Sequence, residues 1–422
     1  MLIKPEYKKY ILALSFGNYL KGDGGTDKVI AEHQKIFHNH LYSYIQLAPV
    51  GKKTTQSKYT FYTLVIDGKF AEVISECDAF NYLNSLSESD YMLGGIFIHH
   101  LLKFKMESIY NLCDSTDAPL FFYLHDYYSI CTSYKLIDSS GNYCGETKIS
   151  QEKCGLCDYY KETIILENRM LNFYCKYSDR ITIVSPSRAA LEIWKNTYVD
   201  LNLHTIVVPH QKSEGEYKLK NGNNPIRVAY IGRLIPAKGS QLWEKIVNKL
   251  ENNSNYELYY FGISDNPYPK VYKKQVFVTP DNPNAMIDAL RENKIQIVLL
   301  WSVWPETYSY TYYEAMAADS FVITNKKSGN IADAVMTNKN GCVFETEDEA
   351  LEFIGNYKKT KIALNNYGKK GVLNLDPNNE IVCLVSDTGH LFENKKCRKI
   401  CLHIIAKLYN VLYKIKYSRE KN

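Results

Sequence analysis

The chain has 422 residues, too many for one ordinary hydrophobic core, so two domains are expected. Hydrophobic residues at 45% and charged residues at 23% are those of an ordinary globular protein, and a net charge of +5 is too mild a bias to indicate nucleic acid. Eleven cysteines, an odd number in so long a chain, exclude a small disulfide framework and fit reduced thiols. No stretch approaches the roughly 20 apolar residues that a bilayer span needs.

Both halves open like Rossmann-type units. "KKYILALSF" reads as a buried strand, "GNYLKGDGGTDKVI" as a glycine-rich turn, and "TDKVIAEHQKIFHNH" as a helix capped by Thr26 or Asp27. Strand-like runs follow at "GGIFIHHL", "PLFFYLHD", "RITIVSPS" and "TIVVPH". The polar segment 209–225, rich in Gly, Asn and Pro, reads as a linker. The scheme then repeats with "PIRVAYIGRL", the helical pattern "PAKGSQLWEKIVNKLEN", and the strands "YELYYFG", "IQIVLLW" and "SFVITN". This alternation predicts an α/β fold with parallel sheets: an N-terminal domain over 1–208, a C-terminal domain over 226–390 and a basic helix over 391–422. Residues 373–393 carry no recognisable pattern.

Ligands of open α/β sheets bind beyond the carboxyl ends of the strands. Gly24, Gly25, His100, His125, Gly232, Arg233 and Glu306 all fall there, spread over both halves, which suggests a cleft between two domains. Arg233 and Lys238 in "IGRLIPAKG" flank a turn into a helix, where cations, unpaired amides and the helix dipole together favour a phosphate or diphosphate. The pattern is not that of a P-loop. In "VLLWSVWPETYSYTYYEAMAADSFVIT", a strand ends at Pro305 and a helix is expected from Tyr308–Tyr310 to Ala318, with Glu306 before it and Glu314 about two turns inside. The amides of Tyr308, Ser309 and Tyr310 would then lie between two carboxylates, one for sugar hydroxyls and one for ribose. His99, His100 and His210 read as loop histidines.

These residues resemble a known family. "PETYSYTYYEAMAA" is similar to the E-x7-E motif of retaining GT-B glycosyltransferases of family 4 (group 1), "YIGRLIPAKG" to their donor-phosphate loop, and "GDGGTDKVI" to their N-terminal glycine loop. "LHDYYSIC" and "SGNIADAV…NGCVF" match further stretches, in order, over roughly residues 10–355. The resemblance implies the GT-B fold, with two Rossmann-like domains facing across a cleft. It implies transfer of a hexosyl or deoxyhexosyl group from a UDP-, GDP- or dTDP-sugar to a glycan or lipid-linked acceptor. Bacterial cell-surface polysaccharide synthesis is the expected setting. Gly232, Arg233 and Lys238 would bind the diphosphate, Glu306 the sugar and Glu314 the ribose, with His125 at the reaction centre. Gly24, Gly25 and Thr26 would approach the acceptor or a phosphate. No catalytic metal is expected, in keeping with the absence of any D-x-D sequence. The chain departs from the family in "AADSFVI", where Asp319 stands for a turn glycine. A non-catalytic GT-B protein that binds glycan or a partner, and a nucleotide-sugar epimerase of the same fold, stay open as alternatives.

Cys131, Cys144, Cys154 and Cys157, within a loop over 126–160, have the spacing C-x12-C-x9-C-x2-C, close to that of a structural zinc site, with unremarkable thiols as the other reading. The tail from Lys395 to Lys421 has Glu420 as its lone acidic residue. It reads either as an interfacial helix drawn to anionic lipid or as a helix returning to the N-terminal domain. The N-terminus has a short apolar run without a small-residue cleavage site, so a cytoplasmic protein is expected, at most peripheral on the cytosolic face of a membrane.

Overall fold

The computed structural model describes residues 3–22, 24–51, 57, 59–145, 149–215, 225–265, 267–279, 282–367, 374–385, 388–394 and 400–419. The first sheet is built from β1 (Lys9–Leu14), β2 (Tyr42–Pro49), β3 (Phe61–Ile66), β4 (Lys69–Ser75), β5 (Met92–Ile98), β6 (Leu120–Tyr123), β7 (Ile181–Ser185) and β8 (His204–Val207), in the order β4-β3-β2-β1-β5-β6-β7-β8. A short strand β9 (Gln211–Glu214) precedes the second sheet. That sheet comprises β10 (Ile226–Ile231), β11 (Tyr256–Phe261), β12 (Tyr272–Lys274), β13 (Ile297–Leu299), β14 (Phe321–Asn325) and β15 (Gly341–Phe344), in the order β12-β11-β10-β13-β14-β15, and β16 (Asn374–Pro377) follows. The helices are α1 (Gly25–Asn39), α2 (Glu76–Ser87), α3 (Met106–Cys113), α4 (Gln151–Cys154), α5 (Tyr160–Lys176), α6 (Arg188–Thr197), α7 (Ser240–Leu250), α8 (Ala285–Glu292), α9 (Tyr310–Ala317), α10 (Asn330–Asn338), α11 (Glu347–Gly355), α12 (Tyr357–Asn366) and α13 (Ile400–Arg419).

The central strands are continuously apolar because both faces are covered. In β1, Tyr10, Leu12 and Leu14 enter one core while Ile11 and Ala13 enter the core on the other side. The second sheet repeats this two-residue alternation, with Val228 and Tyr230 on one face of β10 and Ala229 and Ile231 on the other. All strand pairs of the second sheet are parallel.

The first sheet differs from a purely parallel expectation at one edge. There β3 runs antiparallel to both β2 and β4. The β3–β4 pair turns on Asp67-Gly68, a two-residue turn with φ +48° and +75°, the backbone that a tight hairpin requires.

The segment after α12, unassigned from sequence, returns the chain to the first sheet. β16 pairs antiparallel with β9, so part of the expected linker is a two-stranded clasp; residues 216–224 of that linker lie outside the described residues. Ile381 enters the core beside α1, and Phe392 the opposite core. Gly94 makes room for this passage, since a Cβ there would come within 2.7 Å of Val385 Cγ1. Asn84 and Asn394 exchange two hydrogen bonds of 2.9 Å, side chain to backbone. Finally α13 packs on the β4 edge, burying Leu402 and Ala406 against Phe61 and Val73.

Candidate active site

Each sheet reverses its strand order once. In the first the reversal lies between β1 and β5, and in the second between β10 and β13, whose order β12-β11-β10-β13-β14-β15 is that of a dinucleotide-binding domain. The loops leaving β1, β6, β10 and β13 line a cavity of about 330 Å³, to which Thr26, His125, Lys238, Glu306 and Ser309 all contribute. A larger cavity of about 630 Å³ lies between α13, α2 and β4, and no candidate site residue lines it.

From the second sheet, β10 ends at Gly232, whose φ of +94° turns the chain away. A short 3₁₀ turn, Pro236–Lys238, leads through Gly239 (φ +84°) into α7. A Cβ on Gly239 would lie 2.4 Å from the Trp301 carbonyl oxygen, so this turn is pressed against the end of β13. That contact brings Lys238 to Glu306: the ammonium donates to Glu306 Oε1, which also accepts from Ser302 Oγ at 3.0 Å. Glu306 is only 4% exposed. Its backbone is fixed by the Ser328 carbonyl at 3.2 Å and the Asn330 amide at 2.9 Å. Arg233 is exposed and does not line the cavity.

Ser309 caps α9, its hydroxyl accepting from the Tyr312 amide at 3.3 Å. Of the three amides expected to face a diphosphate, that of Ser309 is taken by Asn330 Oδ1 at 3.2 Å, while Tyr308 and Tyr310 line the cavity. Glu314 is the fifth residue of α9, one turn inside rather than two, because the helix begins at Tyr310. It is buried, and no hydrogen-bond donor reaches its carboxylate among the described residues. Burial raises its pKa, and the only relief comes from Lys28.

The first sheet supplies the opposite wall. Gly24, not Thr26 or Asp27, caps α1, and its amide donates back to Asp27 Oδ2 at 3.3 Å. From α1, Lys28 and Glu32 reach across: Lys28 Nζ lies 3.8 Å from the centre of the Tyr310 ring, and Glu32 Oε2 accepts from the Tyr310 hydroxyl at 3.0 Å. Thr307 Oγ1 donates to the His125 carbonyl at 2.6 Å, joining the two walls.

Four imidazoles gather at this contact, His33, His99 and His210 buried and His125 half-buried at the cavity wall. His99 Nδ1 lies 2.8 Å from His125 Nε2, the His33 and His99 rings are 5.3 Å apart, and His210 packs against His125, Tyr308 and Tyr310. Burial holds His99 and His125 well below the ordinary range, and His33 and His210 at about 3, so all four are neutral at physiological pH. His100 is different. It is a satisfied loop histidine whose Nε2 lies 3.2 Å from Asp126 Oδ2; burial pushes that carboxyl up, but the imidazole and the Tyr128 amide bring it below its usual range.

The four loop cysteines are free thiols. Burial raises Cys131, with smaller contributions from Cys157 and Cys154, and pushes Cys144 to about 11, aided by Cys131 and Cys154. No group of three or more metal-type side chains that could hold an ion occurs among the described residues.

Sequence reasoning missed Lys28, Glu32, Ser302, Thr307 and the gathering of His33, His99 and His210 about His125. The i, i+4 spacing of Lys28 and Glu32 on α1, directly after the glycine turn, was the one local signal. At Asp319 the departure from the family pattern keeps the backbone: φ is +57°, a conformation that Asp tolerates better than most residues.

Two Rossmann-like domains facing across a cleft define the GT-B fold, and the chain has it. Residues 212–370 match the family model described as glycosyl transferases group 1. Sucrose-phosphate synthase from Thermosynechococcus elongatus is similar in structure at 13% identity, covering 97% of this chain and 100% of its own, with a TM-score of 0.53. TarM is similar at 11% identity, covering 87% of this chain and 95% of its own, with a TM-score of 0.51. The pneumococcal O-GlcNAc transferase GtfA, solved with UDP and GlcNAc, shares 9% identity over 86% of this chain and 93% of its own, with a TM-score of 0.52. No curated protein matches the sequence.

Proposed function

We propose that this protein is a glycosyltransferase that moves a sugar from a nucleoside-diphosphate donor to a glycan or lipid-linked acceptor with retention of configuration. The observation that carries this reading is the Lys238–Glu306 pair at the strand-order reversal of the second sheet, opposite His125. Lys238 and the N-terminus of α9, with Arg233 turned in from its exposed position outside the cavity, would neutralise the departing diphosphate, so that no metal is required on the donor. Glu306, held by Ser302 and Lys238, would orient the sugar hydroxyls. Glu314 would receive the ribose hydroxyls, which supply the donors its buried carboxylate lacks. Neutral His125 would act as a hydrogen-bonding group beside the sugar.

Of the described carboxylates that line the cavity, Glu306 is held by Lys238 and Ser302 and Asp126 by His100 and the Tyr128 amide, which would favour front-face displacement over a covalent intermediate. Cys131, Cys144, Cys154 and Cys157 would bind a structural zinc ion that pins the loop beside the cleft, a role supported by their spacing in the sequence.

A lipid-linked acceptor is favoured by α13. Its inner face is packed on β4, yet Ile404, Leu408, Val411, Leu412 and Ile415 are 47–63% exposed and fall within an arc of about 100° on the outer face. The helix contains Lys407, Lys414, Lys416 and Arg419 and no acidic residue. No described helix is long and apolar enough to cross a membrane. An apolar stripe on a helix of basic composition fits the surface of an anionic bilayer.

The deciding experiment is a panel of UDP-, GDP-, ADP- and dTDP-sugars, read by thermal shift and by release of nucleoside diphosphate. Stabilisation by one nucleotide with slow hydrolysis of its sugar is expected. Binding without turnover would favour a non-catalytic GT-B protein, and an interconverted nucleotide sugar would favour an epimerase.

A further inference from the structure

A hydrogen-bonded line runs from the core of the first sheet to the cleft. Tyr44, on β2, is buried, and its hydroxyl lies 2.9 Å from His99 Nε2. His99 follows β5 directly and is 1% exposed. Its Nδ1 lies 2.8 Å from Nε2 of His125, which follows β6 and lines the cleft. The two imidazole planes are 19° apart with centroids separated by 5.1 Å. With ring nitrogens at 2.8 Å, this is the geometry of an in-plane N–H···N bond between two rings lying edge to edge.

The direction of the line follows from one proton. The Tyr44 phenol is held protonated by burial, and His99 Nε2 is its single hydrogen-bonding partner among the described residues. A phenol that accepted from His99 would leave its own O–H buried without an acceptor, the costlier arrangement. Tyr44 therefore donates to Nε2. His99, a neutral imidazole, then carries its proton on Nδ1 and donates to His125 Nε2. His125 in turn must carry its proton on Nδ1, the ring nitrogen with no protein partner among the described residues. Besides His99, the charged and titratable neighbours of His125 are His210, Asp126, His100, His33 and Tyr123, and none of these hydrogen-bonds its ring among the described residues.

We propose that Tyr44 and His99 are positioning residues that fix the tautomer of His125, so that it offers the cleft an N–H donor and not a base. On the transferase reading, that donor would meet an oxygen of the donor sugar. The tautomer itself does not depend on that reading.

The test is long-range 1H–15N correlation on the full chain labelled with 15N-histidine, with the two signals assigned by difference from His99→Gln and His125→Gln. In the wild type both rings are expected to be protonated at Nδ1. Tyr44→Phe, which touches neither cleft nor nucleotide, should replace the single His99 and His125 tautomers by mixtures. It should also lower turnover about ten-fold, the scale of one misaligned hydrogen bond in the transition state, with the affinity for free nucleoside diphosphate unchanged. A wild-type His125 protonated at Nε2 overturns the proposal, as does a Tyr44→Phe protein with unaltered tautomers. If no nucleotide sugar is turned over at all, the spectra still decide the tautomer and only the transferase reading fails.

Discussion

Lys238 and Glu306 form an ion pair in which one partner is buried and the other half-exposed, with side chains 6% and 40% accessible. Such a pair is asymmetric: removing the cation strands a buried carboxylate, whereas removing the carboxylate frees a lysine that still reaches water. Lys238→Ala should therefore lower both stability and nucleoside-diphosphate affinity, the latter by about 1.5–3 kcal/mol as for other charge-assisted contacts. Glu306→Gln should leave free-nucleotide affinity nearly unchanged while lowering transfer at least ten-fold. Titration calorimetry and initial rates separate the two. Equal losses of affinity in both variants would mean that Glu306 does not act on the sugar.

Glu314 gives a pH-dependent test of the ribose role. Its folded pKa is raised by burial, so the native state holds this proton more tightly than the unfolded chain. Its contribution is then least unfavourable at acid pH and grows more unfavourable as pH rises from the unfolded value through the folded one. Glu314→Gln should accordingly raise the melting temperature of the ligand-free protein at pH 7, and the gain should shrink below the unfolded carboxyl value of about 4.3. The same variant should weaken nucleotide binding through lost ribose contacts. A variant that melts like the wild type at pH 7 yet binds nucleotide normally would remove Glu314 from the site.

What the sequence disclosed, and what it concealed, follows from the range of the interactions. Glu306, Ser309 and Glu314 were legible because one strand, one turn and one helix present them within a single stretch. Lys238 was legible because a glycine turn after an apolar strand has few uses. Tyr44, His99 and His210 carry no such mark, since they are brought to His125 only by the strand order β2-β1-β5-β6 and by the close of the cleft. The β9–β16 clasp was hidden for a similar reason: each strand is four residues long and polar, and only pairing makes it a strand. The Asp67-Gly68 hairpin was there to be read, as Asp-Gly between apolar runs, and was passed over in favour of uniform α/β alternation.

The cysteine loop admits a direct measurement. Protein purified without added metal is expected to contain about one zinc ion per chain by the stoichiometry of four-thiolate sites. Replacing Cys154 and Cys157 by serine should release it and expose the loop to proteolysis. Removal of the metal by a chelator should loosen 126–160 without unfolding the sheets, because the cores on both faces of the first sheet are built largely from other segments. Metal-free protein whose four thiols all react quickly would assign the loop to ordinary packing.

The terminal helix has two faces with different fates, and this makes the membrane reading separable from a purely structural one. Leu402 and Ala406 belong to the fold, and the ring of Tyr413 stacks on Phe70 with centroids 5.0 Å apart, so deleting the helix would confuse docking with unfolding. Substitutions on the outer face avoid this. Leu408→Ser with Leu412→Ser removes two side chains that are already exposed, and should change the melting temperature little. If the stripe enters a bilayer, each leucine contributes about 1.5–3 kcal/mol when fully buried, so the double variant should lose vesicle binding by at least ten-fold. Each basic residue near an anionic surface adds about 1 kcal/mol, fading within a Debye length of about 8 Å at physiological salt. Binding to vesicles of phosphatidylglycerol and phosphatidylcholine should therefore weaken at high salt and vanish on phosphatidylcholine alone. Co-sedimentation reads all three conditions. A wild-type protein that ignores anionic vesicles, and whose outer-face variant instead changes from dimer to monomer, would give this stripe to a second protein chain and leave the acceptor without a membrane argument.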